Sequence, residues 1–314
     1  MPTSQVLPAA RHPHLFSGLL LALAGSIAFS GKAIIVKLAY RHGVDAVTLI
    51  MYRMLFALPL FVGLAWWTSR PRQGVAPAPL TRKDWLGVAG LGVTGYYLAS
   101  FLDFWGLEYI SASLERLILY LNPTLVLLLG WIIYRRAIRG VQLLAMVVSY
   151  GGVLLVFGHE ADFAGPDAVL GAVLVFASAA SYAIYLVYSG EMVKRLGAMR
   201  LVGLATTVAC VLCLLQFVLL RPLEAAQVAP PVIWLSVLNA TLCTFAPVIM
   251  VMMAVERLGA GLAAQTGMVG PMSTIAMGVL ILDEPFNTWI IAGTVLVMTG
   301  VFMVTRMGQA PVSK

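Results

Sequence analysis

The stretch GLEYISASLERLILYLNPTLVLLLGWIIYRR, Gly106 to Arg136, lies without a gap over AVERLGAGLAAQTGMVGPMSTIAMGVLILDE, Ala254 to Glu284, when the chain is slid by 148 residues. Glu108 falls on Glu256, Ala112 on Ala260, Leu114 on Leu262, Pro123 on Pro271 and Gly130 on Gly278; beyond the stretch, Gly152 falls on Gly300. Gly18 over Gly171 extends the match loosely towards the start of each half. Self-similarity at a fixed offset is the mark of a duplicated architecture.

Working outward, the whole chain is too apolar for a soluble fold: 61% of residues are hydrophobic and 11% charged, with a mean hydropathy of +0.94. Apolar runs long enough to cross roughly 30 Å of hydrocarbon recur along it. The expected spans are 15–39, 46–67, 85–107, 111–134, 141–158, 168–190, 199–220, 232–255, 261–282 and 287–305. The fold class is therefore an all-α integral membrane protein of about ten helices. Five spans per half is an odd number, so the second copy enters the membrane from the opposite side and the repeats are inverted. The expected organisation is a tail 1–14, a first five-helix repeat 15–158, a linker 159–166, a second repeat 167–306 and a tail 307–314. The first apolar run follows Arg11 but is too long for a signal peptide and has no convincing cleavage site, so it is expected to be retained.

The net charge of +7 does not indicate nucleic-acid binding, because the basic residues are sorted by side. Fourteen of them fall with the two termini and the loops on that side, against Arg41 and Arg221 opposite. Lysine and arginine concentrate on the cytoplasmic side, which places both termini there. The three cysteines (Cys210, Cys213, Cys243) all lie in apolar spans, where small-residue packing explains them better than disulfides, redox chemistry or metal binding.

In these features the sequence resembles the drug/metabolite transporter superfamily, in its EamA-type branch of ten-helix proteins. The resemblance is carried by GLEYISA at 106–112, NPT at 122–124, ERLGA at 256–260 with Pro271, and DEP at 283–285. It implies a proton-motive or exchange-type carrier, often an exporter of amino acids or other small metabolites, in an inner bacterial membrane. It also implies a central cavity lined mainly by spans one, three, four, six, eight and nine. Glu115 and Arg116 depart from the family pattern, which commonly has small neutral residues there, although a subgroup also reads E-R-L-I-L.

Pro123 and Pro271 each lie roughly 15 to 18 Å into their spans at about 1.5 Å per residue, near the midplane, where a break is tolerated beside protein or a water-filled cavity. The candidate pocket at this level comprises Ser30, Tyr96, Tyr120, Asn122, Tyr182, Asn239 and, nearer the termini side, Gln265. Hydroxyl and amide groups would orient an amphipathic solute and rings would cover it, although the same residues also serve as glue between membrane helices.

Five charges fall inside spans and more than two residues from their ends: Lys32, Arg53, Asp103, Glu115 and Arg116. They should face protein or water, since each costs roughly 2.5 to 3.5 kcal/mol at a helix centre. Two readings stand: a pairing network that gates the extracytoplasmic side, or a site for the charged ends of a substrate. Asp103 and Glu115 are the groups suited to proton coupling. Glu284 reads as a helix-end contact. His12, His14, His42 and His159 fall outside the expected spans and build no metal or catalytic cluster.

The expected function is a secondary active exporter of small polar or amphipathic, amino acid-like metabolites, not an enzyme and with no cofactor. Its partners are the small-molecule substrate, the bilayer and protons as coupling ion. The alternatives are a passive channel, which would need pore-lining polar stripes or rings of charge, and a membrane-embedded enzyme, for which no motif is found. No Walker A sequence supports an ATP-driven pump.

Overall fold

A computed structural model describes residues 12–71, 78–135, 137–164 and 167–307. Most of the expected tails, part of the linker, and Arg11, Arg72, Arg136 and Lys314 of the charge count lie outside the described residues.

Ten helices long and apolar enough to cross a membrane follow one another. They are α1 Leu15–Tyr40, α2 Ala46–Thr68, α3 Arg82–Gly106, α4 Ala112–Tyr134, α5 Gly140–Glu160, α6 Ala168–Leu196, α7 Ala198–Leu220, α8 Pro230–Leu258, α9 Gln265–Leu282 and α10 Thr288–Thr305. No strand occurs among the described residues. His159, expected just beyond the fifth span, falls in the last turn of α5, where its ring stacks on Trp289 at 5.9 Å. The face where α1 begins and α10 ends is called near below, and the opposite one far.

The 148-residue offset governs where the helices break. In the third span of the first half, Val93–Leu98 forms a π-helical stretch; in the third span of the second half, Thr241–Phe245 does the same. The fourth spans begin with matching eight-residue pieces, Ala112–Leu119 and Ala260–Gly267, before resuming as Asn122–Tyr134 and Val269–Leu282. Pro123 and Pro271 both stand in the first turn of the resumed helix, where the missing N–H would have no partner in any case. These breaks are sequence-encoded in α4 and α9; the π-helical stretches carry no proline and had no sequence signal.

Packing follows an approximate two-fold arrangement. Helix α1 packs on α8 and α9 of the other half, and α6 packs in the same way on α3 and α4. The pairs α2 with α7 and α5 with α10 lie on either side of this core. Glycines set the second of these contacts: a Cβ on Gly152 would stand 2.7 Å from Gly293 O, and one on Gly293 would stand 2.6 Å from Gly152 O. Only the bare backbone allows such approach, the usual device where apolar burial does not distinguish helix from lipid. Large apolar side chains such as Leu219 (80% exposed) and Leu280 (81%) cover the outside.

Candidate functional site

The interior charges meet in the far half of the bundle. Lys32 of α1 donates to Asp103 Oδ2 of α3, and its Nζ lies 3.2 Å from Glu115 Oε1 of α4. Asp103 is 2% and Glu115 0% exposed. One ammonium therefore serves two buried carboxylates. Asp103 Oδ1 and both Glu115 oxygens accept no hydrogen bond within the protein, so Lys32 meets Glu115 as an ion pair only. As two carboxylates, Asp103 and Glu115 have no hydrogen to offer one another.

The two arginines do not take up these carboxylates. Arg116 Nη2 donates to Ser30 Oγ at 3.1 Å, and Ser30 Oγ in turn lies 2.7 Å from Gly270 O, at the second-half helix break. Arg53, 7% exposed, donates from Nε to Thr244 Oγ1 at 3.1 Å, inside the π-helical stretch of α8, and lies over the Phe104 ring at 5.0 Å. Arg53 Nη1 and Arg116 Nε find no acceptor. Glu115 and Arg116, neighbours about 100° apart on a helix, thus both reach α1 rather than each other.

The expected pocket residues fall into separate groups. Tyr120 donates to Gly267 O at 3.1 Å, joining the break in α4 to that in α9. Asn122 turns its Nδ2 back to Leu119 O at 2.7 Å and leaves Oδ1 without a donor. Tyr96 and Tyr182 meet at Tyr185, a residue that the sequence analysis did not single out: the Tyr96 and Tyr185 hydroxyls are 3.1 Å apart, and Tyr182 stacks on Tyr185 at 5.4 Å. Asn239 is buried with Oδ1 unpartnered, whereas Gln265 is exposed at the start of α9. A cavity of about 320 Å³ opens at the far face instead, lined by Lys37, Tyr40, Arg41, Glu108, Leu282 and Glu284.

That far face carries a set of contacts that sequence reasoning missed, apart from Glu284. The N-terminus of α4 is held by three side chains. Ser111 Oγ caps Leu114 N; Glu160, from the end of α5, accepts from Ser111 N at 2.6 Å and Ser111 Oγ at 2.8 Å. Glu284, from the α9–α10 turn, accepts from Ala112 N at 2.6 Å and Ser113 N at 3.2 Å, the helix-end contact expected of it. Carboxylates suit this position because the first turn of a helix has free N–H groups and a partial positive charge. Lys37 donates to Leu107 O and Ile110 O, and Arg41 to Leu282 O. In the loops, Glu108 accepts from Ala46 N at 2.7 Å, and burial raises its pKa against that bond. Burial pushes the Asp45 carboxyl up too, but hydrogen bonds from Thr48 and the Arg221 guanidinium outweigh it and hold Asp45 below its ordinary value. At the near end, the matching helix start at Ala260 follows Gly259 and has no side-chain cap.

A ten-helix membrane bundle with two inverted halves, broken helices at mid-depth and buried charge in its interior defines a class, the inverted-repeat transport proteins. The EamA-like transporter family matches residues 16–158 and again 169–306, and the chain belongs to that family. The uncharacterized transporter YcbK of Bacillus subtilis (strain 168) is 32% identical over 277 residues, 85% of this chain and 86% of that protein. YvbV of the same organism, also an uncharacterized transporter, is 23% identical over 206 residues, covering 65% of this chain and 67% of YvbV. A solved crystal structure, 18% identical, matches in fold with a TM-score of 0.60 over 95% of this chain and 99% of that one. The protein is a multi-pass membrane transporter of a small molecule.

Proposed function

We propose that the chain is a secondary active carrier that works by alternating access, with 15–158 and 167–306 as the units that rock, and that it exports a small polar or amphipathic, amino acid-like metabolite. One observation carries this reading: the two halves break at the same register, in the third and in the fourth span of each. A pair of exchangeable halves held in one of two arrangements is what alternating access requires. The basic loops favour a cytoplasmic near face in a bacterial inner membrane, with the far face outward. Among the described residues Arg70, Arg82, Lys83, Arg135, Arg139, Lys194, Arg195, Arg200 and Arg257 stand at the near ends, against Arg41 and Arg221 at the far loops.

The shared ammonium supports protons as the coupling ion. The charge of Lys32 offsets one of the two carboxylates, and a single proton held between Asp103 and Glu115 would balance the other. Opening the far side would wet this site and release the proton, so the same residues serve as gate and as coupling site.

The test compares small molecules leaving cells that overproduce the intact protein with those leaving cells that make the Asn122→Ala, Glu115→Ala variant. Accumulation of one or a few metabolites outside only with the intact protein supports export; equal profiles from two well-folded proteins would sink it. Dependence of that export on an imposed pH gradient, abolished by Asp103→Asn with Glu115→Gln, tests the coupling.

A further inference from the structure

We infer that the solute carries an anionic head, a carboxylate, and that Arg53 and Arg116 are the residues that select for it. The inference rests on the carrier reading above and names the chemical class of its substrate. Electrostatics alone would pair each guanidinium, the buried one of Arg53 and the half-buried one of Arg116, with one of the two nearby carboxylates. The fold does otherwise: it gives Asp103 and Glu115 both to Lys32, and leaves Arg53 and Arg116 without an ion pair, Arg53 on the Thr244 hydroxyl and the Phe104 ring and Arg116 on the Ser30 hydroxyl. Each guanidinium keeps an N–H, Arg53 Nη1 and Arg116 Nε, that meets no acceptor in the protein.

A buried charge without a counter-charge is strongly unfavourable, and an arginine cannot escape by losing its proton. Its retention needs a partner that arrives from outside. The sign of the partner follows from counting. Three cations face two carboxylates at this level, an excess of one positive charge, and an excess of two whenever Asp103 and Glu115 share a proton. A cationic solute would add to that excess, whereas a carboxylate reduces it. The geometry agrees in kind, since a guanidinium offers paired N–H groups that match the two oxygens of a carboxylate.

Placement adds a reason for both arginines to act in transport. Arg53 bonds to the π-helical stretch of α8, and Arg116 lies against Gly270, where a Cβ would come within 3.1 Å of its Nη2. Both arginines come from the first half, and both reach a backbone irregularity of the second. An anion received by either one lies at the seam between the units that move.

The test uses the full chain purified in lipid nanodiscs, with thermal stabilisation as readout and matched pairs as probes in which the amide has no carboxylate left: leucine with leucinamide, N-acetylleucine with N-acetylleucinamide, succinate with its diamide, and inorganic phosphate as a non-carboxylate anion. The expected result is that at least one acid stabilises the protein and its amide does not. Arg53→Gln and Arg116→Gln should each weaken that acid by about ten-fold or more, the loss of a charge-assisted hydrogen bond, with Arg116→Lys intermediate. Should a glutamine variant fail to fold, the lysine variants Arg53→Lys and Arg116→Lys carry the comparison. The inference is overturned if an amide binds as well as its acid, if phosphate alone binds, if no acid binds, or if folded variants keep full affinity. Export of a neutral or cationic solute without acid binding would remove this inference and leave the carrier; acid binding without export would do the reverse.

Discussion

Arg135 and Asp283, 148 residues apart, are the two non-glycine residues with positive φ among the described residues, at 50° and 60°, and they end α4 and α9 at the same point of each repeat. The duplication thus preserves a left-handed helix stop although the two side chains share nothing. The left-handed region costs an L-residue about 1–2 kcal/mol, less for aspartate, whose side chain can bond locally. Arg135→Gly is expected to raise stability by about 1 kcal/mol, and Asp283→Gly by less, read as shifts in thermal midpoint in detergent. Equal effects, or a loss at Arg135, would show that the side chain does more than end the helix.

Close approach of α5 and α10 makes the opposite prediction for added bulk. Gly293→Ala would put a methyl group 2.6 Å from Gly152 O, a backbone atom that cannot turn away, whereas Gly151→Ala one position along meets nothing within 4 Å. The first should destabilise by about 1–3 kcal/mol and the second by very little. Similar midpoints for the two variants would refute the packing assignment.

Lys32 is the sole ion-pair partner found for Asp103 and Glu115 among the described residues. Replacing it with methionine leaves two buried carboxylates uncompensated, a loss of about 3–5 kcal/mol by analogy with broken buried pairs. Adding Glu115→Gln should restore part of that loss, because the offending charge is removed. Additive losses in the double variant would mean that the two residues do not interact.

Asp45 caps α2 through Val47 N and Thr48 N and meets Arg221 from the other half at 3.1 Å. Asp45→Ala is expected to lower stability by about 1 kcal/mol, mostly from the lost cap, since the ion pair is partly exposed. The sign of the pH effect follows from the lowered pKa of this carboxyl in the folded state. Its contribution is full above the unfolded value of about 3.9 and disappears as the pH falls through the folded value below it. The difference between wild type and Asp45→Ala should therefore be constant near neutrality and shrink only in strong acid; a difference that grew on acidification would contradict the assignment.

How much of this was legible in sequence depended on whether the signal was local. Ten spans, the inverted halves and the breaks at Pro123 and Pro271 follow from apolar length, parity and a residue that cannot donate, each readable without a neighbour. The five intramembrane charges stood out for the same reason, but their partners did not: nothing in the chain says that Lys32 takes both acids while the arginines take hydroxyls. Tyr185 was passed over beside Tyr182 because one helix carries both and only the position of Tyr96 distinguishes them. Glu160 falls within the expected linker 159–166, and its partner, the start of α4, is 49 residues away.

The contacts of Glu160 and Glu284 with the start of α4 lead to a final prediction about conformational balance. Glu160 belongs to the first half and Glu284 to the second, and both hold the same turn. Only Glu284 therefore ties that turn across the seam between the halves. Glu284→Ala removes three charge-assisted bonds, from Ala112 N, Ser113 N and Ser113 Oγ, and is expected to weaken far-face closure by about 1–2 kcal/mol, a five- to thirty-fold rise in the open fraction. Glu160→Ala loosens the turn within one half and should shift that balance less. The check is labelling by a membrane-impermeant maleimide of Ile110→Cys, a far-loop position 1% exposed, after replacing Cys210, Cys213 and Cys243 with alanine. Faster labelling with Glu284→Ala than with Glu160→Ala supports a cross-half latch; the reverse order would assign both carboxylates to holding the helix end alone.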